Sequence, residues 1–318
     1  MKQVLLMMPS YYDFDEVITS VLVKHSDCIV TAIDTSPKLA YRNNFDRVIN
    51  FFSKLLLRKN LKPEMHRKRI LRQINSLTKV DYLVVNRVDL IDDIIFDTVI
   101  KKAEHKILLL WDSLSKVGAP MDRLAHFNVI YSFDSNDCKN YNFKKIENFH
   151  FWDFQAHITP KYDAIYLGTL DQRESDLIKI MEYLKIDNKT YKAFLHVPRG
   201  KKIQQVNGIE ILNKIIPFKE SISFANQGSL IVDLAHKNQT GLSFRVFEAM
   251  FLRKKLITTN TNIREYDFYD PHNIFVLDDV NEINIPNDFW TTQYKEIAKE
   301  IVDKYAAENW VKKILSNG

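Results

Sequence analysis

The sequence predicts an α/β protein of two Rossmann-like domains. Three observations lead there. Short apolar runs alternate with longer amphipathic segments from residue 1 to about residue 135, the pattern of a parallel sheet covered by helices. The same pattern restarts near residue 160, after an irregular aromatic stretch. A chain of 318 residues, 46% of them apolar, is also long enough to fill two cores of ordinary size.

In the first half, β-rich apolar runs predict strands at 4–8, 28–33, 82–85, 106–111 and 129–133, with a helix over 16–23. Ligands of such a sheet belong at its carboxyl ends, beside residues 9–15, 34–36, 86–89 and 112–116. From 142 to 160 the chain turns aromatic, with Phe149, Phe151, Trp152 and Phe154 preceding His157-Ile158-Thr159-Pro160. The interdomain connection is placed near the end of that stretch, giving a first domain of residues 1–158. A second domain, 159–292, is predicted to hold strands at 164–167, 192–197, 209–211, 230–233, 255–258 and 274–277, with a helix over 174–184. One last helix, over 293–315, carries Ile297, Ile301, Tyr305 and Trp310 on an apolar stripe, and residues 293–318 close the chain.

The stretch from Gln239 to Asn260 carries the most chemistry. Gly241 permits a tight entry and Ser243 is an N-cap, while Phe244, Phe247, Met250 and Phe251 share one helical face. The free N–H groups of that helix start favour an anion. Arg245 in the first turn opposes the helix dipole at a cost of about 0.3–1 kcal/mol, which a bound phosphate would offset. Glu248 can share its face. A solvated Arg/Glu pair on an amphipathic helix is the plainer alternative.

This stretch resembles the donor-sugar motif of GT-B glycosyltransferases. In many retaining members a Glu, seven intervening residues and a second Glu precede Ala-Met or Ala-Leu, a short turn and a strand. Glu248-Ala249-Met250 matches the second Glu and its neighbours, and in the family that carboxylate binds the nucleotide ribose. Thr240 stands where the first Glu would be, and Arg253 where the turn has Gly. The chain is also similar to bacterial glycosyltransferases of lipopolysaccharide-core and capsule synthesis. The likeness lies in the Gln-x-Gly-Leu-x-x-Arg-x-x-Glu helix, the strand Lys254-Lys255-Leu256-Ile257-Thr258-Thr259-Asn260 and the segment Tyr266-Asp267-Phe268-Tyr269. Trp111-Asp112-Ser113 and Tyr131-Ser132-Phe133-Asp134-Ser135-Asn136-Asp137 resemble the first domain of that group. The resemblance implies two domains facing across a cleft, acceptor on the first and nucleotide-sugar donor on the second, with the C-terminal helix packing back on the first. It implies donor binding by Arg173, Thr240, Gly241, Leu242, Ser243, Arg245 and Glu248, without a cofactor or bound metal. The partners are then a nucleotide sugar and a surface glycan or lipid-linked acceptor. The alternatives are a sugar-nucleotide epimerase of the same fold and a non-catalytic nucleotide- or glycan-binding protein.

Composition excludes several other classes. Two cysteines, Cys28 and Cys138, make neither a disulfide framework nor a zinc spacing, which points to a reducing compartment. The amino-terminal apolar run is too short for a signal peptide, and no run of about 18 apolar residues exists to span a membrane. The expected location is the cytoplasm, at the inner face of the cell membrane. With seven glycines and no GxGxxG or GxxxxGK[ST], a Gly-rich phosphate cradle is excluded, leaving helix starts and basic side chains for any phosphate. The nine histidines are scattered without metal-ligand spacing, and Asn188 and Asn238 head sequons that matter only in a secreted eukaryotic protein.

The net charge of +5 is unevenly spread. Between Lys38 and Arg72 stand eleven basic residues against Asp46 and Glu64. On a helix, Phe45, Val48, Ile49, Phe52, Leu55 and Leu56 share one face with Arg47, Lys54 and Arg58 opposite. Either the apolar face meets the core and the basic side is solvated, or the segment docks on an anionic membrane or a phosphorylated acceptor. No nucleic-acid reader motif accompanies it. Asp13, in Asp13-Phe14-Asp15, is either an N-cap or an acceptor-side general base, and Asp112, before Ser113 and Lys116, competes for the base role. Arg173, in the loop after the first strand of the second domain, either meets the donor diphosphate or is merely solvated. Lys254 and Lys255 are either similar helpers or caps of the preceding helix.

Overall fold

The computed structural model describes residues 1–36, 44–151, 159–198, 200–201, 203, 207–212, 214–237 and 239–316, leaving aside the side chain of residue 57. The expected domain junction near residue 158 lies outside these residues, as do Trp152, Phe154, His157, Lys38 and Asn238. The chain divides into two compact units. One comprises Met1–Ser132, Tyr141–Lys144 and Val311–Gly318, and the other Phe133–Asn140 and Lys145–Trp310.

The first unit is built on β1 (Lys2–Met8), β2 (Cys28–Asp34), β3 (Val80–Asn86), β4 (Ala103–Leu110) and β5 (Val129–Ser132), and its sheet ends in β6 (Lys144–Lys145), of which Lys144 belongs to this unit. Their order is β2-β1-β3-β4-β5-β6, and β1 to β5 run parallel. Every residue of β3 is buried, as a central parallel strand covered on both faces requires. Leu5, Met7, Leu83, Val85 and Leu108 pack on Ile95, Phe96 and Val99 of the helix Asp93–Lys102. The order 2-1-3-4-5 reverses direction between β1 and β3, the switch point where such sheets take ligands.

The second unit holds β7 (Tyr162–Thr169), β8 (Tyr191–His196), β9 (Ile209–Leu212), β10 (Gly228–Asp233), β11 (Lys255–Thr258) and β12 (Ile274–Val276), all parallel, in the order β12-β11-β10-β7-β8-β9. Counted from its own first strand this is 3-2-1-4-5-6, the Rossmann order, with the switch point between β7 and β10. Alternation along the strands fills two core layers. Ala164, Tyr166, Leu230 and Val232 meet Leu177, Ile180, Met181 and Leu184 of the helix Glu174–Ile186. Ile165, Ile231 and Leu256 meet Val246, Phe247 and Met250 of the helix Phe244–Phe251.

Each predicted strand overlaps an observed one, but the last helix differs. The 293–315 segment is two helices, Lys299–Lys304 and Ala307–Ser316. The break has a cause far away in sequence. His150 N–H donates to the Tyr305 carbonyl at 2.9 Å, and Ala307 N–H donates to the His150 carbonyl at 2.8 Å, so the backbone at 305–307 is engaged as a strand-like bridge. Among the described residues no helix is long and apolar enough to cross a membrane.

Candidate functional site

The loops leaving the carboxyl ends of β7 and β10 carry most of the polar residues singled out in the second half of the sequence. Ser243 caps the helix Phe244–Phe251 as expected, its Oγ accepting from Arg245 N–H at 3.1 Å. The same hydroxyl donates to Asp233 Oδ1 at 2.7 Å, and Thr258 Oγ1 donates to Asp233 Oδ2 at 2.8 Å. Asp233, buried at the end of β10, thereby fixes both the helix start and the end of β11. Asn260 donates its side-chain N–H to the Gly241 carbonyl at 3.0 Å, tying the loop before the helix to the chain after β11.

Thr240 and Gly241 are held from their other side by the segment 133–140 of the same unit. Thr240 N–H donates to Asp134 Oδ2 at 2.8 Å, and Thr240 Oγ1 accepts from Ser135 N–H at 2.7 Å. A Cβ on Gly241 would lie 2.1 Å from the Phe133 ring, so the tight entry assigned to Gly241 is a close approach to an aromatic face. Leu242 is buried, and its carbonyl accepts from Asn148 Nδ2 at 2.8 Å. The helix start rests on an aromatic group, with Phe149 and Phe218 each edge-on to Phe244 at 5.5 and 4.9 Å.

Arg245 and Glu248 pair as the spacing predicted, but not on a solvated surface. Glu248 is 0% exposed; Oε2 bonds Arg245 Nη1, and Oε1 accepts from buried Ser221 Oγ at 2.7 Å. Both carboxylate oxygens are thus engaged inside the fold. The Arg245 side chain keeps 19% of its surface open.

Arg173 lies at the switch point rather than in a loose loop. Its guanidinium forks onto Asp171 at 2.9 and 2.6 Å, and Nη1 donates to the Leu234 carbonyl at 2.6 Å, which joins the loop after β7 to the loop after β10. Burial alone would push the Asp171 carboxyl up, but the hydrogen bonds and charge of Arg173 outweigh it and hold that carboxyl below its usual range. Buried Tyr166 lies within electrostatic reach of Arg173, Asp171, Asp233 and Arg245, and burial first of all raises its hydroxyl. Tyr166, Asp233, Ser221 and Asp134 carry structure at the site that no sequence reading assigned them. Their signal was faint, since an apolar strand ending in Asp says nothing about what that Asp will grip.

Lys254 and Lys255 are elsewhere. Lys254 Nζ bonds the Asn226 and Gly228 carbonyls, and burial pulls its ammonium down to about 8. Lys255 caps not the preceding helix but the short helix Asn287–Thr291, donating to the Phe289 and Thr292 carbonyls at 2.5 and 2.6 Å.

In the first unit, Asp13 sits at the N-cap of the helix Phe14–His25 in a left-handed conformation (φ 56°), and its side chain makes no capping bond. Asp112 follows β4 and accepts from Lys116 Nζ at 2.6 Å. The two loops are brought together by Phe14 and Trp111, edge-on at 4.8 Å. Arg87, after β3, forks onto Asp89 at 2.9 and 2.7 Å beside them. Among the described residues no three His, Cys, Asp or Glu side chains converge as a metal-binding group.

No family model matches the sequence, and no curated protein matches it either. Among solved structures the chain is similar to the UDP-GlcNAc 2-epimerase of Methanocaldococcus jannaschii in complex with UDP-GlcNAc and UDP, at 14% identity and a TM-score of 0.51 over 100% of both chains. It is also similar to HepE of Anabaena in complex with UDP and glucose (11% identity, TM-score 0.49, 100% of this chain and 93% of that one). A glycosyltransferase of Rickettsia africae stands at 12% identity and a TM-score of 0.47, with coverage of 99% and 94%. The first likeness, with the two parallel six-stranded sheets, gives the chain the GT-B fold.

Proposed function

We propose that the protein is a glycosyltransferase that moves a sugar from a nucleotide-sugar donor to a surface glycan, of the lipopolysaccharide or capsule kind, at the cytoplasmic side of the cell membrane. The observation that carries the reading is the cluster at the β7/β10 switch point, where ligands of Rossmann units bind. There Arg245, partly open, stands in the first turn of a Ser243-capped helix, and the Arg173–Asp171 fork braces the facing loop. The donor diphosphate is assigned to the helix start and Arg245, while Arg173 shapes the wall.

In the reaction, an acceptor hydroxyl oxygen bonds the anomeric carbon as the bond from that carbon to the diphosphate oxygen breaks. The leaving diphosphate gains negative charge, which the Arg245 guanidinium and the positive end of the helix dipole stabilise. The hydroxyl proton passes to a carboxylate, assigned to Asp13 or Asp112 of the first unit. The charge on the leaving group is met by protein groups rather than by a bound metal.

A thermal-shift panel of nucleotide sugars is the first test, since a ligand that binds only the folded state raises apparent stability. The stabilising nucleotide sugar is then incubated with and without glycan acceptors. Transfer that requires an acceptor supports the proposal. A new sugar nucleotide formed without acceptor would make the protein an epimerase, and binding without turnover would make it a non-catalytic receptor.

A further inference from the structure

The helix Asn44–Leu57 is inside out. Two of its polar residues are turned inward: Asn50 is 0% exposed and its Oδ1 accepts from Leu61 N–H at 2.6 Å, while Ser53, also buried, donates to the Lys59 carbonyl at 2.9 Å. Its apolar residues face outward. Phe45, Val48, Ile49, Phe51, Phe52, Leu55 and Leu56 are each at least 36% exposed, and Leu56 reaches 74%. Of the two alternatives for this segment, the core-facing apolar side with a solvated basic side does not hold. At 100° per residue these seven side chains form one arc, and Arg47 and Lys54 stand at its edge beside Phe51.

An unbroken apolar face of this kind marks an interaction surface, because exposed singly such residues are ordinary but together they are not. The charge beside it decides the partner. Arg47, Lys54, Arg58 and Lys59 are all exposed around the arc or just past the helix, in a stretch with few acids. That basic margin is complementary to an anionic surface. A helix with Phe and Leu on one side and Lys and Arg at its margin is the form that lies in the plane of a bilayer interface.

We propose that the helix Asn44–Leu57 docks the protein on an anionic lipid bilayer by burying Phe45, Phe52, Leu55 and Leu56 among the acyl chains, with Arg47, Lys54 and Arg58 at headgroup level. The basic residues set lipid preference, and the apolar arc supplies the holding force. This surface stands independently of the glycosyl-transfer reading, and it would bring the enzyme to lipid-borne acceptors if that reading holds.

The test is sedimentation with phosphatidylglycerol and phosphatidylcholine vesicles at low salt and at about 1 M salt, where the Debye length falls to about 3 Å. The wild type is expected to pellet with phosphatidylglycerol and to retain binding at high salt. Phe52→Gln/Leu55→Gln/Leu56→Gln, which changes no charge and no buried group, should lower partitioning about 100-fold or more. Arg47→Gln/Lys54→Gln should lose roughly 30-fold at low salt and little at high salt. Undiminished pelleting of the folded triple variant would overturn the proposal. So would a wild type that ignores phosphatidylglycerol, or one that is a dimer made monomeric by the triple change, since the arc would then cover a second copy. Nucleotide binding measured on the same triple variant should match wild type, which separates failure of docking from failure of the proposed reaction.

Discussion

Arg173 and Arg245 keep nearly the same share of their side chains open, 18% and 19%, but are held differently. Arg173 is forked onto Asp171 and bonded to the Leu234 carbonyl, whereas Arg245 is bonded to Glu248. Glu248 is the residue through which this can be tested. If it anchors Arg245, Glu248→Gln should lower unfolding stability by about 1.5–3 kcal/mol, because a buried charged hydrogen bond is lost, and donor affinity should fall with it. If it instead binds the ribose directly, affinity should fall roughly 10- to 150-fold with stability unchanged. Urea melts and calorimetry with UDP separate the two, and a variant equal to wild type in both would remove Glu248 from the site. Lys254 gives a prediction in pH. Its folded pKa lies near 8, below the ordinary 10.5, so between those values the unfolded chain binds more protons. The burial penalty is complete below about pH 8 and is relieved as pH rises toward 10.5, so Lys254 makes stability climb with pH in that window. Each unit is worth at most about 1.4 kcal/mol. Lys254→Met should flatten that part of the stability profile, measured by chemical denaturation; an unchanged slope would refute the assignment.

At the scale of elements, the helix Phe244–Phe251 shows how a short segment is held in place. Eight residues are too few to be helical on their own, so its start depends on the cap and on packing. Ser243→Ala removes the cap to Arg245 N–H and leaves Asp233 Oδ1 without a donor in a buried position. Loss of the cap is worth about 1 kcal/mol, and an unmatched buried acceptor about 1–3 kcal/mol more. Guanidinium denaturation of Ser243→Ala against Ser243→Thr, which keeps the hydroxyl, tests this; equal losses would show that the hydroxyl does not matter. This helix, its cap and the following strand were all legible in sequence, since Ser, the aromatic spacing and a β-rich run are local signals. The break at Tyr305 and Ala306 was not, because the pattern of Ile297, Ile301 and Tyr305 is helical, yet residues 293–298 are not helical and the backbone of His150 engages the chain at 305–307.

For the whole molecule, the proposed reaction requires a base, and Thr240 in place of a first motif Glu inclines the proposal to inversion of the anomeric centre. Thr240 is engaged by Asp134 and Ser135, a structural task that a longer carboxylate side chain would not fill in the same way. Asp13→Asn and Asp112→Asn are the paired test. At the true base, turnover should drop by about 10²–10⁴ while donor binding stays nearly unchanged. NMR of the product reads the anomeric configuration. Near-wild-type transfer by both variants would dismiss both candidates, and a product with the donor's configuration would dismiss inversion.

Legible in the sequence were the alternation behind two α/β units, strands matching every observed one except the two-residue β6, and the capped helix with Arg245 and Glu248 on one side. Those features follow from periodicity and capping, which act between residues a few positions apart. The polar contacts between residues far apart in sequence were decided only by the tertiary structure. Thr240 meets Asp134 across 106 positions, and Tyr131 donates to the Lys313 carbonyl across 182. It also left the apolar arc of the helix Asn44–Leu57 facing water, with Asn50 and Ser53 turned inward onto Leu61 and Lys59 just past the helix. A helical wheel gives the angle between faces, but which of them is buried depends on packing neighbours that the wheel does not contain.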